Sequence, residues 1–280
     1  MSDRLVAEHN VTPLPLLLVD SLAFWLRNQA VFWLAALPIA GLSAAITYLL
    51  DAKQQFVDLR NHWGWDFLFA LIYAMFLDRW IKETLVDDAS PCDEVDNLRR
   101  STIAVRFLGF VTTMFLAAMM LSWVQLLGIA DTLTDWGAPT GVTVVASTVL
   151  NWLPHLLLWA TLFAGFALVL PALSAAEPAT LGKAWRLGRP VHGTLFALVF
   201  GAAFLSLLAL GLSVWGIQLL PKKPWAAAAM AGAWRLVDCL LLTMVGHVLA
   251  TLWRQLTDWQ PPEPEDHPYR GMARSRARKA

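Results

Sequence analysis

The stretch WAAAAMAGAWRLVDCLLLTMVGHVLATLW, Trp225–Trp253, decides the fold. Across it the only charged residues are Arg235 and Asp238. A helix needs about 20 mostly apolar residues to cross the roughly 30 Å hydrocarbon core of a bilayer. This run makes about 42 Å of helix at 1.5 Å per residue. Trp stands at both ends, where amphipathic rings meet a membrane–water interface. The stretch reads as a transmembrane helix.

The rest of the chain follows the same pattern. Of its 280 residues, 58% are hydrophobic and 15% charged, against about 25% charged in an ordinary globular domain. Mean hydropathy is +0.54. These values exclude an ordinary soluble two-domain protein. Zero formal net charge gives no overall attraction to nucleic acid, and no nucleic-acid partner is expected. Two cysteines, Cys92 and Cys239, exclude a disulfide scaffold. The N-terminal segment does not read as a signal peptide, because Asp3 and Glu8 flank Arg4 and Asp20 interrupts the apolar stretch from Leu14.

The expected fold class is all-α: a polytopic membrane protein of six transmembrane helices, with short amphipathic helices on the cytoplasmic side. One helical domain covers 1–259, with spans at about 30–50, 62–81, 103–127, 142–170, 191–220 and 225–253. The second span is the weakest. Only Phe67–Leu77 is free of charge, roughly 16 Å of helix, so Asp66 and the pair Asp78/Arg79 must sit at the interfaces. A polar segment, Lys82–Arg100, follows it, and Ser90-Pro91 before Asp93, Glu94 and Asp96 reads as a helix start. Pro154 predicts a kink in the fourth span. Pro13–Arg27 reads as an amphipathic helix in the headgroup region. The basic, Pro-rich tail, 260–280, reads as disordered and cytoplasmic.

Lys and Arg set the orientation. With the N-terminus inside, cytoplasmic segments hold sixteen of them and outer loops four, namely Lys53, Arg60, Lys222 and Lys223. That is a positive-inside pattern with both termini cytoplasmic. Failure of the second span would leave five spans and put the N-terminus outside. Trp63, Trp65, Trp80, Trp136, Trp225, Trp253 and Trp259 stand where spans meet loops and read as an aromatic belt. Inward Trp152, Trp159 and Trp234 are the material for an aromatic ligand box instead.

Intramembrane polar residues are the candidates for function. Arg235 and Asp238, three apart, share a helix face and can pair. The pair fits a structural role near the outer headgroups, or a pathway. His247 lies nine residues beyond Asp238, 2.5 turns away and on nearly the opposite face. Asn151 and His155, four apart beside Pro154, can bond another helix or the carbonyls that the proline frees. No HxxxH, ExxH or CxxC occurs, so neither a metal nor another cofactor is expected. Gly-x-Ser-x-Gly, P-loop, GxGxxG and HExxH motifs are also missing, which argues against an enzyme without excluding one.

The loop EPATLGKAWRLGRP, Glu177–Pro190, carries the clearest surface chemistry. Pro178 can open a short helix whose Leu181, Trp185 and Leu187 make an apolar side. Lys183, Arg186 and Arg189 supply cations for anionic headgroups, with Trp185 in the interface. The same charges also serve as a plain topology signal.

Within LVLPALSAAEPATLGKAWRLGRPVHGTLFALVFG, residues 168–201, Pro171, Trp185-Arg186-Leu187 and Arg189–His192 form a pattern. A span ends in an apolar-Pro motif, a short helix carries Trp-Arg-Leu, and the next span begins. This resembles the six-helix bacterial inner-membrane superfamily of the glycerophosphoryl diester phosphodiesterase membrane domain and its YciC-like relatives. FWLRNQAVFWL, residues 24–34, resembles their entry helix and first span. The resemblance implies a membrane domain in a bacterial inner membrane. It does not imply the phosphodiesterase reaction, which belongs to a separate soluble domain in fused relatives. The functional expectation is a non-catalytic accessory or assembly component that binds membrane lipids or another membrane protein. A transporter or channel subunit for a small molecule or lipid is the alternative, and it predicts that Asn151, His155, Arg235 and Asp238 line one cavity.

Overall fold

Long apolar stretches bury their backbone groups by forming helices, and every regular element among the described residues is helical. The computed structural model describes residues 11–52, 63–87, 93–103, 105–123, 149, 153, 156–177, 180–219 and 223–261. In chain order, α1 is Leu14–Arg27, α2 Gln29–Ala52, α3 Trp63–Leu85, α4 Asp93–Arg100 and α5 Val105–Trp123. Next come α6, Leu156–Phe166, then α7, Val169–Ser174, and α8, Leu181–Gly188. A 3-10 turn at Arg189–Val191 leads into α9, His192–Leu219, and α10 is Pro224–Thr257. Among the described residues, three helical stretches are long and apolar enough to cross a membrane: Gln29–Leu50, Leu181–Ile217 and Pro224–Thr257.

Helix α10 is the central one. Of its apolar stretch 61% is buried inside the protein, against 28% for α2 and 22% for the α8–α9 stretch. Its most extensive neighbour is α2. The two approach closely because the contact is made of small residues. A Cβ built on Gly232 would stand 3.3 Å from the Ala40 carbonyl and 3.5 Å from the Ala44 methyl. Small residues that let backbones meet are the usual adhesive between helices in lipid, where no hydrophobic force drives them together. The outward side of α2 stays apolar, with Leu34, Leu37 and Leu49 exposed.

Two apolar cores flank α10. One joins Ile81 and Leu85 of α3, Phe107 of α5, Leu170 of α7, Leu195 of α9 and Leu249 of α10. The other is aromatic and gathers Phe24, Phe32, Phe76 and Trp80 around Cys239.

Several sequence expectations are corrected. Helix α3 does not stop at 81 with a polar segment after it. It runs to Leu85, and Lys82 within it is 3% exposed. The charges are tolerated because they pair at i,i+4 spacing. The fourth span does not end at Leu170 against Pro171. A turn at 167–168 ends α6, and α7 continues through Pro171. Pro171 falls in the first turn of α7, where a missing N–H costs nothing. The sixth helix runs four residues beyond Trp253 and stops at Asp258, which adopts a left-handed φ of 51°. Trp80 and Trp253 are not interfacial anchors, being 1% and 3% exposed. The Trp80 ring packs edge-on to Phe24 at 5.5 Å, and Trp253 sits 5.4 Å from Trp259. Trp65 and Trp225 are exposed, at 40% and 53%. Pro154, Pro178, the Ser90-Pro91 start and the tail beyond 261 lie outside the described residues.

Candidate functional site

Helices α3, α9 and α10 bring a polar cluster together inside the bundle. Asp238 on α10 accepts a hydrogen bond from Tyr73 Oη of α3 at 2.9 Å, and a short one from Ser206 Oγ of α9. Arg235, one turn earlier on α10, stands 3.6 Å from the Asp238 carboxylate. Its Nη1 also donates to Tyr73 Oη at 3.2 Å. The guanidinium lies 4.0 Å from the Phe69 ring centroid and 4.1 Å from that of Trp234. Aromatic faces stabilise such a cation by their quadrupoles, the more so when it is desolvated. Both charged residues are buried. They carry opposite signs, so the cluster is neutral and its field is local.

A cavity of about 240 Å³ opens beside this cluster. Tyr73, Ser206 and Asp238 form its polar wall, and Trp159, Phe163 and Val245 stand among its apolar lining. The Trp159 and Phe163 rings stack, 4.9 Å apart and 6° from parallel. Arg235 is held behind the wall and does not line the cavity.

His247 lies elsewhere. Its Nδ1 is 3.5 Å from Thr84 Oγ1, and its ring is 4.8 Å from that of Phe24. Thr84 Oγ1 itself donates to the Trp80 carbonyl. The histidine is therefore packed between α1 and α3, on the far side of α10 from the cavity. Asn151 and His155 lie outside the described residues. The structure thus groups Arg235 with Asp238 and sets His247 apart, and of these three only Asp238 lines the cavity.

A second polar network, missed by the sequence reading, ties the far end of α3 to its neighbours. Asp78 and Lys82 pair at 2.7 Å with side chains only 5% and 3% exposed. Asp78 also accepts from Ser174 Oγ of α7 at 2.8 Å, and Lys82 Nζ donates to the Ser101 carbonyl at 3.1 Å. Glu83 holds Arg79 at 2.5 Å and Arg99 of α4 at 2.9 Å. Arg27, the last residue of α1, reaches Asp87 at 3.1 Å. Four helices and the chain leading into α5 are thereby fixed at one end of the bundle. The signal in the sequence was DRWIKE, 78–83, which holds two acid–base pairs at i,i+4.

Helix α8 starts at Leu181, and Thr180 caps it by accepting from the Lys183 N–H at 3.2 Å. The face turned to the protein is Ala184 and Gly188, with Leu187 packed against the core. Small residues let the short helix dock closely. Leu181 and Trp185 remain 51% and 46% exposed. Trp185 lies over Gly165, in space that a Cβ would fill, 5.3 Å from the Phe166 ring and 6.0 Å from that of His192. Lys183, Arg186 and Arg189 are all exposed around it.

Among the described residues, no three His, Cys, Asp or Glu side chains gather as a metal site requires. No family model, curated protein or solved structure matches the chain.

Proposed function

We propose that this chain is a non-catalytic integral membrane component that acts by binding lipid headgroups and neighbouring membrane proteins. The observation that carries the reading is α8. With the turn that follows, it presents three exposed cations around a half-exposed Trp, on a helix locked to the bundle through Ala184, Gly188 and the Gly165–Trp185 contact. An anionic bilayer attracts each basic residue near its surface by about 1 kcal/mol, and an interfacial Trp adds an anchor. In this reading six helices cross a bacterial inner membrane with both termini cytoplasmic, and α1 and α8 lie along the cytoplasmic surface. The chain is then a relative of the six-helix membrane-domain superfamily that residues 168–201 resemble. Support for the orientation comes from the convergence of Arg27, Arg79, Lys82 and Arg99 on one end of the bundle. These residues all belong to segments assigned to the inside by charge.

The test is lipid exchange on purified protein, with phosphatidylglycerol bound per chain measured by mass spectrometry. Changing Lys183, Arg186 and Arg189 together to Gln is expected to lower phosphatidylglycerol affinity at least tenfold. Unchanged affinity rejects the lipid-contact reading. A mild-detergent pull-down then identifies any stoichiometric protein partner. The transporter reading draws on a different observation, the cavity against Asp238, and requires Arg235→Ala to abolish transport.

A further inference from the structure

The cavity beside Asp238 has chemistry that headgroup contact does not use. Nearly all of its lining is hydrocarbon or aromatic, and Tyr73, Ser206 and Asp238 together supply one small polar spot. That combination of an apolar body and a few convergent polar groups is what small-molecule sites are made of. Trp159 also lines it, and its Nε1–H is buried without an acceptor in the protein. The indole N–H groups of Trp25, Trp80 and Trp234 are unpaired too, so the one on Trp159 adds a donor near the cavity without by itself requiring an occupant.

Charge narrows the class of occupant. Asp238 is already balanced by Arg235. An added carboxylate would face Asp238 with no counter-ion, and an added ammonium would have to displace the arginine. A buried unpaired charge is far more costly than a neutral polar group. A hydroxyl meets both needs. It can donate to a free lone pair of Asp238, Tyr73 or Ser206, and it can accept from an N–H. Size sets the length. An apolar cavity of about 150 Å³ takes benzene, so one of about 240 Å³ takes an occupant on the order of eight carbons.

The geometry points to a binding site for an uncharged amphiphile, an alkyl chain ending in a hydroxyl, with the hydroxyl at the Tyr73–Ser206–Asp238 wall and the chain among Phe163, Leu241 and Val245. The site shares only its membrane setting with the lipid-contact reading, so loss of phosphatidylglycerol binding leaves it standing.

The experiment is photolabelling of the full chain in lipid nanodiscs with a diazirine derivative of 1-octanol, followed by peptide mapping. Outward-facing Leu34 and Leu37 of α2 report bulk partition into lipid. Labelling of cavity residues is expected to exceed theirs at least fivefold. Unlabelled 1-octanol should suppress it, while octane and octanoate should not. Ala203→Leu, which fills the cavity from α9, should lower cavity labelling at least fivefold and leave α2 labelling unchanged. Ser206→Ala, which removes one polar group without adding bulk, should weaken competition by octanol about threefold. Even labelling of α2 and cavity, or equal competition by octane or octanoate in the unaltered protein, overturns the proposal without recourse to any variant. Mass spectrometry of the extracted protein separates the sources. A co-purified neutral lipid marks a membrane lipid as occupant, and labelling with none marks a free alcohol; each supports the site.

Discussion

Replacing Asp78 by Leu removes one member of a pair whose side chains are 5% and 3% exposed. Lys82 would keep only the Ser101 carbonyl at 3.1 Å, and Ser174 Oγ would lose its acceptor. Breaking a buried pair by removing one partner costs about 3–5 kcal/mol, because the remaining charge stays buried without compensation. The lost charge-assisted bond from Ser174 is worth about 1.5–3 kcal/mol by itself, and it overlaps with that figure. The expected destabilisation is about 4 kcal/mol. Replacing both residues, Asp78→Leu with Lys82→Leu, removes the buried charge altogether and is expected to cost only about 1–2 kcal/mol, for the orphaned Ser174 and Ser101 groups. The assay is reversible unfolding in mixed micelles for the four proteins of a double-mutant cycle. The reasoning predicts a coupling of at least about 2 kcal/mol, well above the roughly 0.5 kcal/mol scatter of independent sites. Additive single effects would refute it, since two uncoupled residues cannot form a buried pair that matters.

Gly232→Leu drives a side chain into the Ala40 carbonyl of α2 and is expected to cost about 1–3 kcal/mol by overpacking. Gly41→Ala on the same α2 meets nothing within 4 Å and should stabilise by about 0.5–1 kcal/mol through helix propensity, so unfolding midpoints that move together would reject the close-contact account. Tyr73→Phe removes the Tyr73 hydrogen bond to Asp238 and should cost about 1–3 kcal/mol, read from the same unfolding curves.

Much of the helical fabric is legible in the sequence, because an apolar run long enough to span a bilayer has few other uses. Trp225–Trp253 falls within α10, and α9, His192–Leu219, falls within the stretch around 191–220. Arg235 and Asp238 were legible as a pair because three residues along a helix bring two side chains to one face. Their other partners were not. Tyr73 lies 165 residues from Asp238 and Ser206 lies 32 away, and no local periodicity reports such a meeting. The Asp78–Lys82 pair fails for a different reason. Its spacing is visible, but a charge run after a short apolar stretch looks the same whether it meets water or a second polar layer. Ser174, 96 residues on, decides between the two. Trp80 illustrates the same limit. An aromatic residue beside charges suits an interface, yet Phe24, Phe32 and Phe76 enclose this one.

The pairing of α2 with α10 also fixes an order of events during synthesis. About 170 residues separate the end of α2 from the start of α10, so at 5–20 residues per second α2 emerges roughly 10–35 s before its main neighbour exists. Through that interval Ala40 and Ala44 have no Gly232 to meet. Residence in the bilayer during the wait rests on the apolar character of Gln29–Leu50 itself, whose mean hydropathy is 1.9. Packing around α10 therefore waits for its synthesis, and a ribosome stalled before Pro224 would leave α2 without its main neighbour.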